Sequence, residues 1–241
     1  MNRVAVLGYH KVGPPPPGGW ETWFSVPEAI FAEQLAALRG GGWQPVDIAS
    51  FLRGLTEAER LPERAALITF DYGYGSVREV ALPLLEHFGY PAVLFVPTDF
   101  VGRTNLFDLE SEPEEALCDW DDLRELVQRG VAVQSHGTSH RALSELAPRE
   151  RGLELERSKA ALEAELGQPV EVFAYPYGDD AGAPAELREA LARTGYRAAF
   201  GYGGRPFSIP AKDPYRLERV AMGPDTDLEA ALESGWSGVG S

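Results

Sequence analysis

The sequence of 241 residues predicts an α/β fold with a parallel sheet in one domain that spans residues 1–241. Two observations lead to this prediction. Short β-rich runs alternate with segments whose apolar residues recur at helical spacing. Three of these runs end in loops that carry polar or aromatic side chains, at Asp71, His136 and Tyr175. Polar groups at the carboxyl ends of strands are typical of α/β enzymes.

The predicted strands are short and largely apolar, and each is followed by a turn, a glycine or a proline. They cover residues 3–9, 65–70, 92–96, 131–134, 170–174, 197–200 and 217–220. Four prolines in residues 14–17 predict a loop, because proline suits neither a helix interior nor a central strand. Residues 102–117 are acidic and lack periodicity, so they predict an inserted loop.

Helix starts are predicted from residues that can accept hydrogen bonds from the first turn. A serine or threonine followed three residues later by glutamate forms a capping-box pattern, which occurs at Ser25, Ser76 and Thr226. Asp47 and Asp119 are predicted to cap two further helices. Pro83 predicts a kink in the helix that follows Ser76, and Gly89 and Gly195 predict helix ends. A polar helix over residues 150–166 has mixed charges, which predict a solvated face.

The composition narrows the classes of partner. A net charge of −15 argues against nucleic acid or an anionic membrane surface as the main partner. Cys118 is the only cysteine, so the chain can form no internal disulfide. The sequence contains no apolar run long enough to cross a bilayer. The first ten residues predict a strand rather than a signal peptide, which favours a cytoplasmic location.

Two histidines are spaced so that they could share a metal ion. His136 and His140 are four residues apart, which on a helix or in a tight loop places both imidazoles on one side. Gly137 excludes the metalloprotease motif H-E-x-x-H, because that motif needs glutamate at this position. Taken alone, the pair is also compatible with two polar loop residues.

Three segments resemble, in order, the motifs of the polysaccharide deacetylases, the NodB-homology family that is also called carbohydrate esterase family 4. The family's motifs read T-F-D-D-G, S/T-H-x-x-x-H/S and R-x-P-Y/F. The chain has Thr-Phe-Asp-Tyr-Gly at 69–73, Ser-His-Gly-Thr-Ser-His at 135–140 and Ala-Tyr-Pro-Tyr at 174–177. The resemblance covers residues 9–220 and implies a distorted (β/α) barrel with its site at the C-terminal strand ends. A Tyr-His pair at 9–10 resembles the branch of poly-β-1,6-N-acetylglucosamine deacetylases.

The resemblance implies a role for each motif residue. It makes Asp71 the base that takes a proton from a water molecule, and His10 the acid that protonates the leaving amine. It makes His136 and His140 ligands of Zn²⁺ or a similar divalent ion, which polarises the acetyl carbonyl. The third motif would wall the groove through Tyr175 and Pro176, and the backbone N–H of Tyr177 would stabilise the oxyanion.

The chain departs from the family at two positions. Ala174 stands where many members have an arginine that orients the base, and Tyr72 stands where they have a metal-binding aspartate. Three interpretations of Tyr72 remain open. The site could be completed by water or by another carboxylate, such as Asp99 or Asp179. The phenolate could itself bind the ion. The metal and the hydrolysis could both be lost.

These features predict an enzyme that hydrolyses N-acetyl groups on a carbohydrate. The alternative is a carbohydrate-binding protein with impaired catalysis, because of Tyr72, and a hydrolase of other non-peptide C–N bonds is a third hypothesis. Tryptophan side chains could stack on sugar rings, although most tryptophans are core or rim residues. The candidates, none of them assigned, are Trp20, Trp23, Trp120 and Trp236. The glycan, the linkage and the oligomeric state are left open.

Overall fold

A computed structural model describes residues 2–234, so Trp236 lies outside the described residues. The strands are β1 Arg3–Tyr9, β2 Lys11–Val12, β3 Ser25–Val26, β4 Gln44–Pro45, β5 Arg64–Asp71, β6 Ala92–Val96, β7 Val131–Ser135, β8 Val172–Ala174, β9 Ala198–Phe200, β10 Phe207–Ser208 and β11 Val220–Ala221. The helices are α1 Glu28–Gly40, α2 Ile48–Gly54, α3 Leu82–Phe88, α4 Trp120–Gln128, α5 Pro148–Leu166, α6 Ala185–Thr194 and α7 Leu228–Glu233.

The strands form a curled sheet in the order β10-β1-β5-β6-β7-β8-β9, in which β1 and β5 to β9 run parallel. Residues 217–221 complete the curl. Leu217 bridges to Phe200 of β9, and β11 pairs in parallel with β1. The first and last parallel strands are thereby joined through one short segment. The predicted distorted (β/α) barrel is confirmed.

The alternation of side chains along each strand separates two apolar clusters. Leu7 of β1 and Ile68 of β5 belong to the cluster that also contains the helix side chains of α1 and α3 to α6. Val6, Leu67 and Phe95 belong to a second cluster on the opposite, concave face of the sheet. In β5, residues 69 and 71 share the face of Leu67, so Thr69 and Asp71 point into the barrel near its C-terminal end.

Two of the predicted helix caps are present. The Asp47 side chain accepts a hydrogen bond from the Ser50 N–H (2.6 Å) at the start of α2. Asp119 accepts from the N–H groups of Asp121 and Asp122 (both 2.9 Å) at the start of α4. Gly89 and Gly195 end α3 and α6 in left-handed conformations, as predicted.

The three capping boxes are wrong. Ser25 lies in β3, and α1 begins after Pro27 without a side-chain cap. Ser76 also makes no cap, because residues 77–81 form a π-helical turn before α3, which carries Pro83 in its first turn rather than at a kink. At α7 the cap is Asp227, which accepts from Ala230 N–H (3.0 Å), and not Thr226. Adjacent Ser, Thr, Asp and Pro compete for the same position, so local pattern alone does not choose between them.

Residues 102–117, called the insert below, contain no helix or strand of their own, as predicted. An isolated bridge from Tyr74 to Leu117 holds the insert beside the end of β5, and a second bridge, from Thr104 to Ala116, lies within the insert. Within residues 2–234 every helix is too short or too polar to span a membrane.

Candidate active site

The ends of three parallel strands bring the predicted catalytic and metal-binding side chains together. Asp71 ends β5, His10 follows β1 and His136 follows β7. The Asp71 Oδ2 atom lies 3.9 Å from the Nε2 atoms of both His10 and His136. The rings of His136 and His140 are 4.9 Å apart between centroids. All four side chains are buried, and the strand ends therefore build one compact site.

Arg219 forms a bidentate ion pair with Asp71 and was not predicted from the sequence. Its Nη1 and Nη2 atoms donate to Oδ1 and Oδ2 at 2.6 and 2.8 Å. The guanidinium is fully buried between the rings of Phe95 and Tyr202. Burial is the largest influence and opposes ionisation of Asp71, but the charge and hydrogen bonds of Arg219, together with the neighbouring histidines, hold the pKa of the carboxyl below its ordinary value. Asp71 is therefore a carboxylate at neutral pH.

Arg219 contacts Asp71 directly, which is the role that the resemblance assigns to an arginine at position 174, where this chain has alanine. It lies in the segment that closes the barrel, directly before β11, and its Nε also donates to the Gly201 carbonyl (2.7 Å). The only signal in the sequence is that Arg219, like Glu218 beside it, is a charged residue inside the predicted strand 217–220. Such a residue in a strand predicts a partner, but it does not identify one 148 positions away.

The two histidines of the second motif differ in their hydrogen bonds. His136 Nδ1 lies 2.8 Å from the Ala174 carbonyl, which can only accept, so Nδ1 carries the proton and Nε2 presents its lone pair to the site. Neither ring nitrogen of His140 has a hydrogen-bond partner within the described residues, and both are buried. Burial lowers the pKa of both side chains, so both imidazoles are neutral.

Glu154 of α5 fixes the loop between these histidines. Its carboxylate accepts hydrogen bonds from Thr138 N–H (2.6 Å), Ser139 N–H (2.9 Å) and Ser139 O–H (2.7 Å). Glu154 is half-buried and does not belong to the predicted solvated face of this helix, on which Glu156 and Arg157 are exposed. In the sequence, nothing distinguishes Glu154 from the exposed Glu156 on the same helix.

We expect Glu154→Ala to weaken the site without touching a site histidine. Three backbone and hydroxyl donors lose their acceptor, and residues that orient metal ligands typically affect metal affinity or activity by about 10- to 100-fold. The matched control is Glu156→Ala, which removes an exposed carboxylate from the same helix. Calorimetric zinc titration and acetate release would measure the effect. Equal behaviour of the two variants would contradict a positioning role for Glu154.

Tyr72 occupies the space between the three site histidines. Its ring centroid lies 4.9 Å from that of His10, 5.6 Å from His136 and 4.8 Å from His140. Its backbone is left-handed, with φ of 76°, which is an uncommon and costly conformation for a bulky residue. Burial and the nearby Asp71 raise the pKa of the Tyr72 hydroxyl well above its ordinary value. The side chain is therefore a neutral phenol.

The two imidazoles fit a divalent ion of the zinc type as a two-residue site. Neutral nitrogen with an unused lone pair is a preferred zinc ligand, and the hydrogen bond from His136 Nδ1 to a carbonyl is the usual support for such a ligand. No group of three or more His, Cys, Asp or Glu side chains within residues 2–234 is arranged to hold a metal. The third protein ligand of a typical catalytic zinc site is thus missing at Tyr72.

The other two carboxylates considered as replacements lie in the surrounding loops. Asp179 accepts hydrogen bonds from the N–H groups of Ser144 (2.7 Å) and Ala181 (2.9 Å). It borders a cleft of about 580 Å³ that is also lined by His140. The Asp99 N–H donates to the Thr138 carbonyl (2.9 Å), so this residue lies beside the histidine loop. Neither joins the two histidines in a three-residue metal group.

His10 lies in an aromatic pocket next to Asp71. Its ring packs on those of Phe24 (4.4 Å) and Tyr202 (5.2 Å), and Nδ1 has no hydrogen-bond partner within the described residues. Burial lowers the pKa of His10 to about 3, although the charge of Asp71 acts in the opposite direction. The resting imidazole is therefore neutral.

The third motif contributes one exposed side chain to the cleft. Tyr177 is 55% exposed and packs on the His140 ring at 4.6 Å, with a left-handed backbone at φ of 56°. Pro176 is buried below it. The Tyr175 side chain instead lies in the cluster between sheet and helices, where its hydroxyl donates to the Tyr215 carbonyl (2.8 Å). Tyr175 can border the groove only through its backbone.

The insert covers the site from one side. Its Phe107 ring lies 4.2 Å from the His140 ring and 5.0 Å from the Tyr72 ring. Buried Lys11, directly after His10, fastens the insert through ion pairs with Glu112 (2.5 Å) and Glu115 (2.7 Å). The sequence revealed the insert but gave no sign of these long-range ion pairs.

Comparisons with known proteins support the geometry. A family model described as polysaccharide deacetylase matches residues 58–199, more than half of the chain. YxkH of Bacillus subtilis, named as a polysaccharide deacetylase, is 26% identical over 224 residues, which are 92% of this chain and 72% of that protein. The poly-beta-1,6-N-acetyl-D-glucosamine N-deacetylase of Escherichia coli is 33% identical over 121 residues, 48% of this chain but only 18% of that protein.

Solved structures agree in fold. IcaB from Ammonifex degensii is 28% identical with a TM-score of 0.74, covering 93% of this chain and 94% of that one. The Streptococcus pyogenes deacetylase PplD in complex with acetate has a TM-score of 0.79 at 22% identity, covering 94% of this chain and 95% of that one. The fold, the order of the motifs and the family match agree, and the chain belongs to the polysaccharide deacetylase family.

Proposed function

We propose that the protein hydrolyses N-acetyl groups on an amino-sugar oligo- or polysaccharide. The observation that carries this proposal is the ionised Asp71, held by Arg219 and placed 3.9 Å from two neutral histidines. A carboxylate and neutral imidazoles grouped in one buried site are the acid and base groups that amide hydrolysis needs. The E. coli relative, whose name states N-deacetylation of poly-beta-1,6-N-acetyl-D-glucosamine, supports an amino-sugar substrate.

The reaction breaks the C–N bond of the acetamide, adds one water molecule and yields acetate and a free amine. Asp71 accepts a proton from the attacking water, and His10 delivers a proton to the leaving nitrogen. Because the pKa of His10 falls to about 3, the proton that it delivers must reach it during the reaction. Asp71 Oδ2 lies 3.9 Å from His10 Nε2 and is the neighbouring source of that proton. The proton thus passes from water through Asp71 and His10 to the amine.

His136 and His140 would hold a divalent ion such as Zn²⁺ through their ring nitrogens. When bound, such an ion would polarise the acetyl carbonyl and lower the pKa of the attacking water. The residues of the chain then orient this chemistry. Glu154 holds the histidine loop, Arg219 holds the base, and Phe107 limits access of solvent water to His140.

The direct test is acetate release from oligomers of N-acetylglucosamine with β-1,4 and with β-1,6 linkages. We expect release from at least one series by the wild-type protein and strong loss of release in His10→Ala. The matched control is His87→Ala, which removes an exposed histidine in α3 and should leave the rate unchanged. Absence of acetate from both series, with zinc supplied, would contradict the proposal.

Tyr72 favours a second candidate function, which is binding of a glycan without hydrolysis. The ring fills the space between the imidazoles, and it replaces a strong anionic ligand with a neutral phenol. Glycan binding in the calorimeter without acetate release from the same preparation would select this candidate over the first.

We expect Tyr72→Asp to raise zinc affinity by about tenfold or more, because a carboxylate adds a third protein ligand beside two neutral imidazoles. Acetate release should rise with it. The control is Tyr72→Asn, because asparagine has the size of aspartate but no charge. It should give no such gain in zinc affinity. Calorimetric titration of zinc into chelator-stripped protein measures the zinc affinity of both variants. If Tyr72→Asp binds zinc no better than Tyr72→Asn, the site does not use a carboxylate at this position.

A further inference from the structure

Trp23 is an exposed indole that the fold holds in one position. The side chain is 40% exposed, yet its Nε1–H donates to Asp225 Oδ1 at 2.7 Å. The ring also lies directly against Gly223, where a Cβ atom would come within 2.3 Å of the indole. Burial of one side of the ring and a hydrogen bond at its edge leave an apolar surface facing outward in a fixed orientation.

A continuous line of rings connects this indole with the catalytic site. Trp23 packs edge-on against Phe24 with 5.5 Å between centroids, and Phe24 packs on His10 at 4.4 Å. His10 in turn contacts Tyr72 at 4.9 Å. The exposed indole thus lies two ring contacts from buried His10, with the partly exposed Phe24 between them.

We propose that Trp23 forms a sugar-stacking subsite, on which a residue of the substrate glycan next to the one being deacetylated rests. The proposal rests on the function proposed above and adds to it a requirement for an oligomer. Sugar rings present apolar C–H faces that pack on indole, and a tryptophan that is already fixed loses little conformational entropy on binding. Gly223 and Asp225 act as positioning residues for the ring.

The test compares chain lengths. In Trp23→Ala we expect KM for a tetrasaccharide of N-acetylglucosamine to rise about three- to tenfold, in line with the strength of aromatic contacts. The kcat and the rate with the monosaccharide should be unchanged. Asp225→Ala, which releases the indole edge but keeps the ring, should show a smaller change in the same direction. The control is Trp20→Ala, which removes another exposed tryptophan, 53% exposed, from the same loop between β2 and β3.

Binding measured without turnover separates this proposal from the proposed hydrolysis. Calorimetric titration of the tetrasaccharide into wild-type protein, Trp23→Ala and Trp20→Ala needs no acetate release. Weaker binding in Trp23→Ala alone supports the subsite even if no protein releases acetate. Equal binding by Trp23→Ala and wild type, or an equal loss in Trp20→Ala, would overturn it. Thermal unfolding of each variant verifies that all are folded.

Discussion

Asp71→Asn is expected to lower the rate of acetate release by about 10²- to 10⁴-fold, the usual contribution of a general base. The amide keeps the shape of the side chain but cannot accept the proton from water. The expected loss lies in kcat, because the binding surfaces formed by Tyr177 and Trp23 are left in place. Steady-state kinetics on an N-acetylglucosamine oligomer that the wild-type protein deacetylates would measure the loss in kcat.

The same substitution leaves Arg219 fully buried without its anion. Breaking a buried ion pair from one side typically lowers the free energy of unfolding by about 3–5 kcal/mol. The double variant Asp71→Asn/Arg219→Met removes both charges and should recover much of that stability while staying inactive. Urea unfolding measures the stability of both. Activity in the more stable double variant would remove Asp71 from the mechanism.

Lys11→Met should lower the free energy of unfolding by about 3–5 kcal/mol, because it leaves the buried carboxylate of Glu112 without its cation. Glu112 is 2% exposed, and without Lys11 the Thr22 hydroxyl (3.0 Å) is the one donor left to its carboxylate within residues 2–234. Acetate release should also fall, because the insert that these ion pairs fasten carries Phe107 over His140.

An exposed ion pair offers the control for Lys11→Met. Arg124 bridges Asp121 and Glu165 at 2.7 and 2.6 Å on the surface of α4, and solvent screens this contact. Arg124→Met should therefore change the free energy of unfolding by less than about 1 kcal/mol. The double variant Lys11→Met/Glu112→Gln should recover part of the lost stability. A loss as small in Lys11→Met as in Arg124→Met would show that the insert is not fastened by these charges.

The sequence predicted the parts of the fold and the site that depend on local order. For strands of five to eight residues with an apolar run, the predicted ends lie within two residues of the observed ends. The grouping of the site residues could then be predicted, because parallel strands end at one edge of the sheet. Asp71, His10 and His136 come together for this reason alone. The short strands β2, β3, β4 and β10, of two residues each, carry no detectable pattern.

The supporting residues could not be predicted, because their partners are distant in sequence. Arg219 meets Asp71 across 148 positions, and Lys11 meets Glu112 across 101. Glu154 lies on a polar helix where several glutamates look alike, and only the packed structure shows which one faces the histidine loop. The motif residues can be recognised in the sequence, whereas the residues that position them can be identified only from the tertiary structure.

The closure of the barrel by residues 217–221 also determines when the site comes into existence. While the chain is being synthesised, Asp71, His10, His136 and His140 are all available long before Arg219. Until the last strand docks against β1, the Asp71 carboxylate has no buried counter-charge and stays hydrated. A molecule with every motif residue present but this one strand undocked would have no organised base. Hydrolytic activity thus reports completed folding from the first strand to the last.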